Sequence, residues 1–235
     1  MESKRDLLKY SKDFLNLKFE RIQEKYRKKK VLEILNKYKP KKILEVGCGS
    51  DSLSNHYKGE WIVVEPFCEF AKGVKNAKVI EGFFEEVDIK DEFDFIVISG
   101  LLHEVEDVDK FLSKLNQIAR NAVIHINVPN AKSFHKLLGV SMGEIDSIYD
   151  KTNTHIKLQQ NMVFDMDGLV DLLQKHGFRI IDKGGYFIKP FSHSQMQKML
   201  ECGIINQKVL DGLYNLKELE EFGSEIYVNV RVSDG

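Results

Sequence analysis

Five short apolar runs in the first half of the chain leave it few folds to choose from. They are "KILEV" (42–46), "WIVVE" (61–65), "AKVIEG" (77–82), "FDFIVIS" (93–99) and "AVIHINV" (122–128). Each is rich in β-branched or aromatic residues and bounded by turn-forming or charged ones, as strands buried on both faces are. Between the last two, "DVDKFLSKLNQIAR" has helical spacing instead. It puts Phe111, Leu115, Ile118 and Ala119 on one face, with Asp107 as N-cap. Strands alternating with helices predict an α/β fold built on a doubly wound, mostly parallel sheet.

The rhythm changes after residue 128. A first insertion, 129–165, mixes helix and loop signals. "DMDGLVDLLQKHGF" then reads as a helix capped by Asp165, burying Leu169, Leu172 and Leu173 and stopped by Gly177. "FRIIDKGGYFI" (178–188) and "SEIYVNVRV" (224–232) read as strands, with a largely helical insertion, 189–222, between them. Two closing strands of this kind predict an antiparallel edge strand on the parallel sheet, and the insertions predict helical caps over it. The division expected is a helical arm or lid over 1–40 and one domain over 41–235.

A chain of 235 residues suits one such domain, and 43% apolar with 30% charged residues is ordinary for a soluble enzyme. No run of about 18 apolar residues predicts a membrane span, and the N-terminus lacks the apolar core of a signal peptide. Cys48, Cys68 and Cys202 are odd in number and unpaired in spacing. They argue against a disulfide framework or structural zinc and fit a reducing cytoplasm. The net charge of -1 hides an asymmetry. Residues 1–42 hold 15 basic and 6 acidic residues, and the remainder holds 20 and 30. "YRKKK" (26–30) is the densest basic run. Its aromatics are not interleaved for base stacking, so the expectation is a solvated helix face, not a nucleic-acid contact. Leu7, Leu8, Phe14, Leu15, Leu17, Ile22 and Tyr26 are expected to pack inward.

"ILEVGCGSDSLS" (43–54) carries the chemistry. A strand, a glycine turn and a helix place backbone N–H groups at a helix N-terminus, facing a ligand at the carboxyl edge of the sheet. The dinucleotide fingerprint needs a third glycine, which falls here on Ser52. A pyrophosphate would also lie close to Asp51, whereas Glu45 and Asp51 suit a cation. The plain alternative for Asp51 is an N-cap accepting from Leu53 or Ser54. Glu65 ends the second strand, 18 residues after Gly47, where a carboxylate can take both ribose hydroxyls.

These segments, in this order, resemble class I S-adenosylmethionine-dependent methyltransferases of the small-molecule type. "ILEVGCGSDSLS" is similar to that family's first motif with its last glycine replaced, and "WIVVEP" to its acidic second motif. "VIEGFFEEVDIKDEFDFIVISGLLHEVED", "IHINVPNAKSFHKLLG" and "HGFRIIDKGGYFIKPF" resemble the later pieces. The resemblance spans roughly residues 40 to 190. It implies a Rossmann-like methyltransferase fold with S-adenosylmethionine as cofactor and a small-molecule methyl acceptor. By the same resemblance Gly47 and Gly49 admit the methionyl part, Glu45 and Asp51 hold its ammonium, and Glu65 with Pro66 holds the ribose. Gly82 and Phe83 lie at the adenine, and Ser99 and Leu101 lie beside the sulfonium.

A base is needed only if the acceptor must lose a proton. His103 in "LLHEV" is the first candidate, weighed against a histidine packed in a turn. His135 and His155 lie in the first insertion, as does Tyr149, each weighed against a plain cap or surface residue. His125, inside a strand, reads as core. No second histidine completes a zinc pattern after "HEVED", and no G-x-S-x-G follows a strand. The competing readings are an RNA or protein methyltransferase, against which "SGLLHE" stands where "NPPY" would be expected, and a non-catalytic nucleoside-binding protein.

Overall fold

The computed structural model describes residues 16–233 apart from Thr152. Leu7, Leu8, Phe14 and Leu15 lie outside the described residues. All the expected strands form: β1 (Lys42–Val46), β2 (Glu60–Glu65), β3 (Lys78–Glu81), β4 (Phe95–Ser99), β5 (Val123–Pro129), β6 (Phe178–Tyr186) and β7 (Glu225–Val232). They make one sheet in the order β3-β2-β1-β4-β5-β7-β6. β3, β2, β1, β4 and β5 pair in parallel, while β7 runs antiparallel between β5 and β6. The chain builds outward from β1 to β3, then crosses back to β4. The switch point between β1 and β4 is where such sheets open a crevice at their carboxyl ends.

Side chains along each strand alternate between two buried faces. Leu44, Ile62, Ile96, Ile98, Ile124 and Ile126 pack under α3 (Val108–Ile118) and α6 (Met166–Lys175), against Phe111, Leu112, Leu115, Leu169 and Leu173. Asp107 caps α3 by accepting from Lys110 N at 2.9 Å, and Asp165 caps α6 by accepting from Gly168 N at 2.8 Å. The opposite face, Ile43, Trp61, Phe95, Val97 and Val123, packs against Val31, Ile34 and Leu35 of α1 (Lys18–Tyr38). His125 is fully buried in β5 beside Asn229 (2.8 Å), and burial pushes its pKa down to about 4, so it is a neutral core residue.

Between β2 and β3 lies the short α2 (Cys68–Ala71). The first insertion forms α4 (Phe134–Ser141) and α5 (Asn153–Lys157), and the second forms α7 (His193–Glu201) and α8 (Gln207–Asn215). A third apolar cluster joins Phe19 and Tyr26 of α1 to Phe187, Met196, Ile205, Leu210 and Tyr214. It ties the second insertion to α1. No helix among the described residues is long and apolar enough to cross a membrane.

The basic run at 26–30 is a solvated face only in part: Tyr26 packs inward as expected and Lys29 is exposed, but Arg27 is buried. Tyr26 stacks on Phe187 at 4.6 Å and on Tyr214 at 5.2 Å, and Lys29 Nζ lies 4.2 Å from the Tyr214 ring centre. Arg27 is 8% exposed. The reason is the spacing of Glu20, Gln23, Glu24 and Arg27 with Val31, Ile34 and Leu35, which all lie on one stripe of the helix. The apolar half of that stripe covers the sheet, and the polar half overhangs its carboxyl edge. There Arg27 Nε donates to both oxygens of Glu225 (3.2 and 3.1 Å), and Nη2 donates to Glu225 and to Glu20 (3.1 Å). Replacing Arg27 with Met strands the fully buried Glu225 carboxylate. Urea unfolding should show a loss of about 3–5 kcal/mol, the usual cost of breaking a buried pair from one side.

Candidate functional site

The carboxyl ends of β1, β2 and β4 surround a cavity of about 460 Å³. Val46 to Gly49 form its floor beyond β1, Glu65 to Phe67 one side, Ser99 to Leu101 the other, and Phe83 with Phe84 the far end. Glu24, Arg27 and Lys28 of α1 form its roof. Eight carboxylate side chains and three basic ones line it.

The glycine loop is built to be approached. Gly47 and Gly49 both have left-handed backbones, φ 73° and 59°. A Cβ on Gly47 would stand 3.1 Å from Leu101. The loop is held from beneath by Glu65, whose Oε2 accepts from Cys48 N (3.0 Å) and Gly49 N (3.3 Å) while Oε1 accepts from Phe67 N (2.9 Å). Burial raises the Glu65 pKa, against these bonds, which lower it. The Cys48 thiol, 3.5 Å from the same carboxylate, is pushed up by burial first and by Glu65 next.

No α-helix follows the loop. Too few residues separate it from β2, and the chain makes a single 3-10 turn, Leu53–Asn55. Its N-cap is Ser52, accepting from Ser54 N at 3.2 Å, and Leu53 N donates to both oxygens of Glu45 at 3.2 Å. Asp51 is therefore neither the cap nor part of the cavity wall. It points to Asn55 Nδ2 (3.1 Å), His56 Nε2 (2.7 Å) and Lys28 Nζ (3.7 Å). Burial raises its pKa, but the bonds from Asn55 and His56 and the Lys28 charge outweigh that and leave it lowered. Glu45, by contrast, is 2% exposed and lines the cavity.

Of the residues expected at the cofactor, the structure brings Glu45, Gly47, Gly49, Glu65, Pro66, Phe83, Ser99 and Leu101 together in the cavity wall. Gly82 ends β3 behind it, at φ 145°, with Val87 2.8 Å from where a Cβ would stand. The histidines lie elsewhere. His103 sits in the 3-10 turn Leu102–Glu104, 3% exposed, its carbonyl accepting from Asn161 N and Met162 N. The packed-turn reading describes that placement, and its neighbour Glu104 is the one that lines the cavity. His135 is in α4, and His155, in α5, lines a second cavity of about 300 Å³ that shares Glu106 with the first. Tyr149 OH donates to Asp165 at 2.8 Å. Among the described residues no group of His, Cys, Asp and Glu is arranged to hold a metal ion.

Sequence reasoning missed the roof. Glu24 accepts from Lys28 Nζ (2.9 Å) and from Ser50 Oγ (3.3 and 3.2 Å), pinning α1 to the loop. Arg27 Nη1 comes so close to Gly100 that a Cβ there would stand 2.9 Å away. The signal was the four-residue recurrence of polar side chains in phase with Val31 and Leu35.

Burial is the largest influence on Glu45 and on Glu20, raising each to about 7, against lowering by Ser52 at Glu45 and by Arg27 at Glu20. A carboxyl with a raised folded pKa keeps its proton in the native state when the unfolded chain has released it, so folding loses stability as pH rises through that window. Urea midpoints should fall between pH 4.5 and about 7, and Glu45→Gln should flatten part of that decline.

The model of the methyltransferase domain family matches residues 19–183. No curated protein sequence matches the chain. Among solved structures, a Thermotoga maritima S-adenosylmethionine-dependent methyltransferase, described as a possible histamine N-methyltransferase, is similar with a TM-score of 0.63 at 19% identity, over 97% of this chain and 96% of that one. The plantazolicin methyltransferase, in complex with S-adenosylhomocysteine and a desmethyl analogue, gives 0.62 at 15%, over 95% and 91%. The Burkholderia thailandensis 1,6-didemethyltoxoflavin N1-methyltransferase gives 0.55 at 12%, over 95% and 91%. These likenesses share the fold, and the family match covers most of the sheet and the whole glycine loop. The chain belongs to the methyltransferase domain family.

Proposed function

We propose that the chain transfers a methyl group from S-adenosylmethionine to an oxygen or nitrogen of a small polar molecule. The observation that carries this is the pairing of the glycine loop with Glu65 at the switch point. Glu65 Oε2 is taken up by the N–H groups of Cys48 and Gly49, while Oε1, which accepts from Phe67 N, keeps a lone pair to accept from a ribose hydroxyl. Glu65 and Pro66 would hold the ribose, Phe83 the adenine, and Gly47 and Gly49 the methionyl part beside Glu45. Arg27 Nη1 and Lys28 would meet its carboxylate from the roof. Ser99 and Leu101 would flank the sulfur.

The bound cofactor supplies an electrophilic methyl on a sulfonium. The protein's share is alignment and exclusion of water. The excess of carboxylates in the cavity wall favours a cation there. For a hydroxyl acceptor, Glu104 stands in that wall as a proton acceptor, and His155 faces the adjoining cavity. His103 and His135 serve this reading only from behind the wall. Nitrogen acceptors are favoured by the descriptions of two similar structures, a possible histamine N-methyltransferase and an N1-methyltransferase. A small acceptor, not RNA, is favoured by the fate of residues 26–30, which turn Tyr26 and Arg27 inward. Three free thiols accord with a cytoplasmic setting.

Calorimetric titration tests the reading. S-adenosylmethionine and S-adenosylhomocysteine should bind and NAD should not. Glu65→Ala should weaken S-adenosylhomocysteine binding by about 1.5–3 kcal/mol, the size of hydrogen bonds to a charged group. Tight NAD binding without either sulfur ligand would overturn it.

A further inference from the structure

Joined to the Arg27–Glu225 pair through Gln23 lies a second buried polar cluster. Lys189 follows β6 and is 4% exposed. A lysine ammonium has three donors, yet among the described residues its hydrogen-bond partner is Gln23 Oε1 alone, at the long distance of 3.5 Å. Gln23 Oε1 also accepts from His193 Nε2 at 3.0 Å, and Gln23 Nε2 donates to Glu225 at 2.8 Å. The carboxylates nearby are already engaged. Glu225 is held by Arg27, Gln23 and Asn127, and Glu20 by Arg27. Lys136, 5% exposed, donates to the carbonyls of Ile148 and Asp150, at 2.6 and 3.3 Å. The His135 Nδ1 is buried with no hydrogen-bond partner among the described residues, and burial first, then the charges of Lys189, His193, Lys136 and His155 near it, hold its pKa well below the usual imidazole range. His155 lines the second cavity.

Burying an amine with so few partners is costly unless something else meets it. Lys136 has the Asp150 charge beside it, whereas Lys189 has only Glu20 and Glu225, both of which Arg27 engages. The cluster thus lacks an acceptor of hydrogen bonds that carries negative charge. We propose that the methyl acceptor bears an oxyanion, a carboxylate or a phosphate, and that Lys189 docks it, with His135 and His193 as further hydrogen-bonding groups. This rests on the methyltransferase reading for the cofactor cavity. Arg27 links the two sites, since it lines that cavity while the charges of its carboxylate partners, Glu20 and Glu225, act on Lys189.

The experiment uses the full chain saturated with S-adenosylhomocysteine and three probes of matched size: benzoate, phenyl phosphate and benzamide. Thermal shift and calorimetry should show saturable binding of benzoate or phenyl phosphate, and which of the two binds tighter identifies the oxyanion. Benzamide should bind about tenfold more weakly or not at all. Lys189→Met should weaken the anion about tenfold or more, Lys189→Arg should retain it, and Lys189→Met should melt no lower than the wild type, because it removes an under-partnered charge. Equal binding of benzamide, no binding of either anion to the wild type, or undiminished anion binding to Lys189→Met would each overturn the proposal. Failure of S-adenosylhomocysteine itself to bind would instead count against the methyltransferase reading.

Discussion

Burial of the Arg27 guanidinium is the constraint on which the carboxyl edge of this sheet depends. Two carboxylates from opposite ends of the chain, Glu20 and Glu225, meet it. Its charge holds Glu225 below the usual carboxylate range in spite of full burial, which acts to raise it. A pair of this kind contributes little net stability, because desolvation of both partners offsets the attraction. What it fixes is register. α1 cannot slide or rotate over the sheet without stranding charge, so Glu24, Arg27 and Lys28 stay over the glycine loop. Gly100 belongs to the same device, since a side chain there would collide with Nη1.

The loop itself is organised by two carboxylates in complementary ways. Glu65 gathers the N–H groups of Cys48 and Gly49, and Glu45 gathers Leu53 N and the Ser52 hydroxyl. Neither relies on a helix dipole, because no α-helix follows. A loop normally anchored by the first turn of a helix is anchored instead by acids rising from the ends of two neighbouring strands. That costs both groups their ordinary acidity, and burial is the dominant cause in each. The arrangement leaves a cavity whose wall is mostly anionic, apart from Arg27, Lys28 and Lys110.

The sheet was legible because every strand announces itself locally. "KILEV" and "FDFIVIS" are apolar on both faces, and Asp107 and Asp165 cap the helices that cover them. Glu65 was legible from spacing alone, since the strand length fixes where its carboxylate emerges. Asp51 instead meets three local partners, Asn55, His56 and Lys28, none of which is marked by the spacing around the glycines. The histidines were placed by distance along the chain, which does not say on which side of the wall a turn such as Leu102–Glu104 puts its ring. The charged stripe of α1 was hidden most deeply. Hydropathy cannot signal a buried Arg27 whose main partner lies 198 residues away.

That separation sets a timetable. β7 is the last strand in the sequence, yet it lies between β5 and β6. While the chain is being made, β5 therefore presents an open edge, and β6 has no neighbour to join. At roughly 5–20 residues per second of synthesis, Arg27 waits about 10–40 s for Glu225 to exist at all. Through that interval a cationic side chain and a bare strand edge are exposed together, the kind of surface that holding factors occupy and that stray strands extend. The glycine loop, made of β1, β2 and the turn between them, needs nothing from the far end and can be shaped early. The glycine loop is then in place before Arg27, in the helix above it, has its partner.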